Sequence, residues 1–160
     1  MAIIDSTYFH DQLNIPNINS TTDLGDELRA ELVRYINVFE PQFLKLLFGN
    51  DFYDLFIQGV GNDEARMLTL QSKLINEDLL LSPIANYVFF YYAKVKKEMV
   101  FGVRDDAGNY TLNGVNHLTE VWNDLSEKSL LIYEFLKDNR STYPEFNQMF
   151  QLSYINNFGI

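Results

Sequence analysis

Apolar residues recur along this chain mostly at helical spacing. Leu24, Leu28, Leu32 and Ile36 follow one another every four residues, with Tyr35 and Phe39 widening the stripe and Arg29, Glu31 and Arg34 lying off it. A first helix is therefore expected to open at Thr22 or Asp23, whose side chains can accept from the free amides of a first turn. Glu40-Pro41 predicts a corner, since proline suits the first position of a new helix better than the middle of an old one. Phe43, Leu44, Leu46, Leu47 and Phe48 follow, and Gly49 is placed to supply a left-handed C-cap.

Further helices are expected over 51–58, carrying Phe52, Tyr53, Leu55 and Phe56 and closing at Gly59, and over 64–75, where Met67, Leu68, Leu70 and Leu74 are the apolar members. Ser82-Pro83 is a strong start signal for a helix over 83–99, apolar nearly all round and so expected at the centre of the core. The pattern then changes. Around 100–115 a turn at Asp105-Asp106-Ala107-Gly108-Asn109 between short apolar runs predicts a protruding hairpin or loop. The longest helix is expected over 116–139, with Leu118, Trp122, Leu125, Ile132 and Leu136 down one seam and Ser129 on the same line. Trp122 and Tyr87 are both expected to be buried. Asp124 and Lys128 add a favourably oriented i,i+4 pair.

Both ends lack a helical period. Residues 1–20 combine Tyr8, Phe9, Leu13, Ile15 and Ile18 with Pro16 and several Asn, and residues 143–160 carry Phe146, Phe150, Tyr154 and Phe158 among Asn and Gln. These ends read as extended arms, with Tyr8, Phe9, Phe146, Phe150, Tyr154 and Phe158 as candidate protein-interface residues. The fold class expected is all-α: one domain over 1–160, a bundle of about five to six helices with two arms.

Composition narrows the function. Twelve Lys and Arg against 22 Asp and Glu give a net charge of −10, which opposes a sequence-reading role on DNA, because gripping phosphates needs clustered cations. The only basic cluster is Lys94, Lys96, Lys97 and Arg104, interrupted by Glu98. No cysteine is present, so disulfides and thiolate metal sites are excluded. The N-terminus has no basic, apolar leader pattern, and the most apolar stretch, 84–93, is too short to span a bilayer.

Candidate chemistry is sparse. His10, beside Asp11 in the arm, and His117, in the first turn of the last helix, lie in no ligand or triad spacing. Asp105 to Asn109 has the composition of a calcium loop but not its order, and a turn explains the same residues. Glu77-Asp78 is a carboxylate pair without an assigned cleft. No nucleophile elbow, phosphate loop or dinucleotide fingerprint occurs. No catalytic residue, metal or cofactor is expected, and the chain reads as an acidic helical interaction domain.

One segment goes further. The helix running into Glu40-Pro41-Gln42-Phe43-Leu44-Lys45-Leu46-Leu47-Phe48-Gly49-Asn50-Asp51-Phe52-Tyr53 resembles a pattern of tailed-phage head–tail connector proteins. The aromatic helix 87–92 and the block Ile132-Tyr133-Glu134-Phe135-Leu136, leading to Tyr143-Pro144, fit the same order, so the resemblance spans about residues 23–146. The order is similar to connector-like proteins of gut phages, including the crAss-like group. The resemblance implies a structural, non-enzymatic virion protein made in the host cytoplasm and located at the head–tail interface. It would form a homo-oligomeric ring, typically twelvefold, below the portal protein and beside neighbouring connector or tail proteins, with DNA only as cargo through the lumen and no membrane contact. It identifies no ligand-binding residue. Two other readings stay open: a cytosolic helical adaptor or regulatory protein binding one partner, and a ligand-binding bundle or enzyme with an unrecognised site.

Overall fold

The computed structural model describes residues 2–100 and 113–155. The chain is all-α. Among the described residues five helices follow in order: α1 (Asp23–Phe48), α2 (Asn50–Gly61), α3 (Ala65–Leu74), α4 (Pro83–Val100) and α5 (Asn113–Asp138). Two 3₁₀ turns, Ser6–Tyr8 and Asp11–Leu13, precede them. The hairpin or loop expected near 100–115 falls almost wholly on residues 101–112, outside the described residues.

Helix α4 is the centre, packed between α1 and α5. It runs antiparallel to both. Lys96 of α4 pairs with Glu31 at 2.8 Å while Tyr87 meets Phe43, and Asn86 reaches Val121 and Asp124 while Phe89 meets His117. Ile84, Ala85, Val88 and Phe89 of α4 are buried, as the all-round apolar pattern predicts. The one buried amide among them is satisfied: Asn86 Nδ2 donates to the Val121 carbonyl at 3.1 Å and to Asp124 at 2.7 Å, and Asp124 also accepts from Lys128. Ser82 joins two helices. Its hydroxyl donates to the Leu74 carbonyl at the end of α3 and accepts from the Ile84 amide at the start of α4.

The corner expected at Pro41 does not form. Helix α1 runs unbroken through it for 26 residues, with Pro41 inside. An internal proline costs about 3 kcal/mol through a lost hydrogen bond and a clash with the carbonyl four residues back. Burial outweighs that cost. Leu32, Ile36 and Glu40 before the proline and Phe43, Leu44 and Leu47 after it lie on one buried face, and bending the helix would take half of them out of the core. Asn37, whose carbonyl loses its partner, is an exposed residue. The reversal comes at Gly49 instead, with φ 78° and its amide donating to the Lys45 carbonyl. At the other end Thr22 occupies the N-cap position, but its hydroxyl bonds to Ser20 and not to the helix amides. Leu24 is exposed there and Gly25 buried, because the Ser20 carbonyl lies where a side chain at 25 would begin.

The N-terminal arm is part of the core. Ile4, Tyr8, Phe9, Leu13, Ile15 and Ile18 are all buried in this chain. Its two ends are tied to α1 by charged side chains. Glu40, only 4% exposed, accepts from the Ile3 amide at 2.9 and 3.0 Å and from the Ile4 amide at 3.2 Å. Arg29 donates to the carbonyls of Ile18, at 2.6 Å, and Ser20, at 2.9 Å. No cation pairs with Glu40 among the described residues. Burial pushes its carboxyl above the usual range, and the two amides only partly oppose that shift.

Glu40→Ala is expected to destabilise the chain by about 3 kcal/mol, because the buried Ile4 amide and the part-buried Ile3 amide lose their acceptor, as read by urea titration. The sign of the pH effect follows from the raised folded pKa. The folded state holds the proton more tightly, so this group's contribution is full below the unfolded carboxylate range and declines as pH rises through the folded value. Wild type should therefore lose stability relative to Glu40→Gln across that window. A constant difference between the two would contradict the assignment.

Candidate interaction surfaces

Two aromatic assemblies organise the surfaces. The first crosses three helices. Tyr35 and Phe39 of α1 stack at 5.7 Å, Phe39 stacks on Tyr91 of α4 at 4.7 Å, Tyr91 meets Phe90 at 5.5 Å, and Phe90 meets Trp122 of α5 at 4.9 Å. All five rings are half-buried, so each supplies the core with one face and the surface with another. Val38 and Val95, one turn from these rings, are exposed. Tyr87 lies beneath, buried as expected, and its hydroxyl is driven upward in pKa by burial and by its bond with Tyr91. Trp122, on the seam of α5, is half-buried. Its ring packs on Phe90 and Tyr87, and its Nε1 points to the C-terminal arm, donating to the Ser153 carbonyl at 2.9 Å.

The second assembly fixes the chain after α5. Phe48, Phe52 and Phe56 pack edge-on, and Phe52 meets Tyr143 at 6.3 Å and Phe146 at 5.5 Å. Tyr143 donates its hydroxyl to the Arg66 carbonyl at 2.7 Å. The Arg66 guanidinium in turn binds the Thr142 carbonyl, Glu145 and Glu64. Those bonds hold the Glu145 carboxyl below its usual range. Gly59 lets α2 approach α3 so closely that a side chain there would overlap Met67.

Beyond Phe146 the C-terminal arm is extended, without regular secondary structure over 147–155. Phe150 is half-buried against Tyr133 at 5.4 Å, and Leu152 is buried. Asn123 of α5 then grips the main chain of Ile155 in both directions, donating to its carbonyl at 3.0 Å and accepting from its amide at 2.9 Å.

The predicted interface residues therefore separate. Tyr8, Phe9 and Phe146 are core residues of this chain, held by the Glu40 and Arg29 ties and by the Phe52 cluster, which leaves them no surface to offer. Phe150 is half-buried, Tyr154 is 59% exposed, and Phe158 lies outside the described residues. Glu40, Arg66 and Asn123 were not singled out from the sequence, although Glu40 lies in the Glu-Pro motif itself.

A groove of about 710 Å³ lies between the end of α3, the 75–82 loop and α5. Lys73, Lys128, Glu77 and Asp78 line it beside Leu81 and Leu131, the last 62% exposed. The loop is closed by paired main-chain bonds between Asn76 and Leu81. Lys128 is held by Asp124, and Lys73 lies over the Phe135 ring. These charges are of mixed sign and already engaged in part, so they do not converge on one point. His10 sits between Asp11 and the Leu80 carbonyl, and His117 packs edge-on to Phe89. The calcium-like run Asp105 to Asn109 lies outside the described residues. Among the described residues, no group of three or more His, Asp or Glu could hold a metal ion, and no helix is long and apolar enough to cross a membrane. No protein-family model, curated protein or solved structure matches this chain.

The two arm aromatics should behave differently on truncation. Phe146→Ala is expected to cost about 3–5 kcal/mol, whereas Tyr154→Ala should stay within about 0.5 kcal/mol in the isolated chain. Thermal denaturation of both variants separates them, and equal losses would contradict the division of the arm at Phe146.

Proposed function

We propose that the chain is an assembly subunit of the head–tail connector of a tailed phage, forming a ring below the portal. One observation carries the interaction role: five half-buried aromatic rings run across α1, α4 and α5. Aromatic surface of this kind suits a protein partner, because rigid rings bury much area at little entropic cost. The resemblance over 23–146 supports the specific identity, and no further comparison bears on it. A ring subunit needs two dissimilar faces, and the aromatic face and the α3–α5 groove differ in chemistry as a closed heterologous interface requires. The net charge of −10 suits a channel wall that repels the DNA backbone and lets it pass.

The groove favours the second reading, a cytosolic adaptor that takes one partner segment against Leu81 and Leu131. Symmetry separates the two. A connector gives rings on portal complexes, and an adaptor gives a low-stoichiometry complex with a single partner.

Deleting residues 147–160 is the direct test. The helices should stay folded by circular dichroism, because Phe146 and the Arg66 ties are retained, while rings on portal complexes disappear in electron micrographs. Rings formed by the truncated chain would remove the arm from assembly. Portal complexes without rings of the full chain would remove the connector reading.

A further inference from the structure

The C-terminal arm is held as a bound peptide would be. Over 147–155 no main-chain to main-chain hydrogen bond engages it among the described residues. Its hydrogen bonds come from side chains of α5 reading its backbone, Trp122 on the Ser153 carbonyl and Asn123 on both polar groups of Ile155, while Phe150 packs on Tyr133. Even-numbered residues face the helices from 146 to 152, with Phe146 and Leu152 buried and Gln148 and Phe150 half-buried, while 147, 149, 151 and 153 are exposed; the alternation stops there, with Tyr154 exposed. That is the alternation of a strand laid on a groove. Nothing in these contacts requires that arm and groove belong to one chain.

We propose that the seat around Trp122 and Asn123 takes the 147–155 segment of a second copy of this chain, so that copies are joined by exchange of their arms. This rests on the assembly reading above. The occupant is named by the structure itself, since this same sequence already fits the seat. The point of departure is fixed: Phe146, Tyr143 and the Arg66–Glu145 pair anchor the chain up to residue 146. From there the segment can reach about 30 Å when extended, enough to cross to a neighbour. Seated on its own chain, the arm leaves Met149 76% exposed and Tyr154 59% exposed. An arm lying between two copies has both faces covered. Leu152 is the one buried residue over 147–155, so release breaks its packing, the Phe150–Tyr133 contact and the Trp122 and Asn123 bonds, and leaves the contacts among the helices in place.

The chain has one Trp and no Cys, and Trp122 lies in the seat, so the exchange can be read optically. Ser153→Cys carries a bimane label on an exposed residue of the arm, and contact with the Trp122 indole quenches the label's emission. In the otherwise unchanged full chain the label should be quenched. For the second measurement the labelled copy also carries Trp122→Phe, or Trp122→Leu should the first not fold, and is mixed with unlabelled wild type. Exchange predicts that the bimane emission falls in the mixture, and that Asn123→Ala in the unlabelled copy abolishes the fall. Quenching within one copy and none in the mixture would overturn the proposal, as would no quenching in either sample. Exchange without rings on portal complexes would uphold the shared arm while removing the connector assignment.

Discussion

A carboxylate in the middle of a long buried helix face has to be satisfied, and Glu40 is satisfied by main chain. Its oxygens take the amides of Ile3 and Ile4, so the start of the chain is fixed to the centre of α1. The rest of the arrangement follows from that tie. With residues 3 and 4 held there and Arg29 holding residues 18 and 20, the segment between them is laid along the bundle and buries six large apolar side chains. The same buried face keeps α1 unbroken through Pro41, and a continuous α1 is what lets Tyr35, Phe39 and Phe43 meet α4 in register.

Much of this was legible from the order of residues. Ser82-Pro83, Gly49, the all-apolar α4 and the α5 seam each state a local rule, and the fold obeys them. Pro41 was misread because its rule is also local, whereas its outcome is decided by six buried positions spread over four turns. The packing of the arms is not legible in the sequence for a related reason. Residues without a period give no sign of whether they pack on their own chain or on another, and only long-range ties such as Ile3–Glu40 and Ile155–Asn123 decide it. Glu, Arg and Asn at such positions look like ordinary solvated residues in the sequence. Nothing in their immediate neighbours marks them.

The two ends differ in kind. The N-terminal arm is sealed by burial and by charged side chains, and it belongs to the folding unit. The C-terminal arm is sealed only to Phe146, beyond which it is a strap whose outer edge is formed by Asn147, Met149, Gln151 and Ser153, set beside the half-buried aromatic face.

Amide hydrogen exchange on the isolated full chain tests the division most directly. The account predicts that the Ile3 and Ile4 amides exchange with the slowness of α4, because opening them requires uncovering Glu40, while amides over 147–153 exchange rapidly. Rapid exchange at Ile3 and Ile4, or protection over 147–153 equal to that of α4, would contradict it.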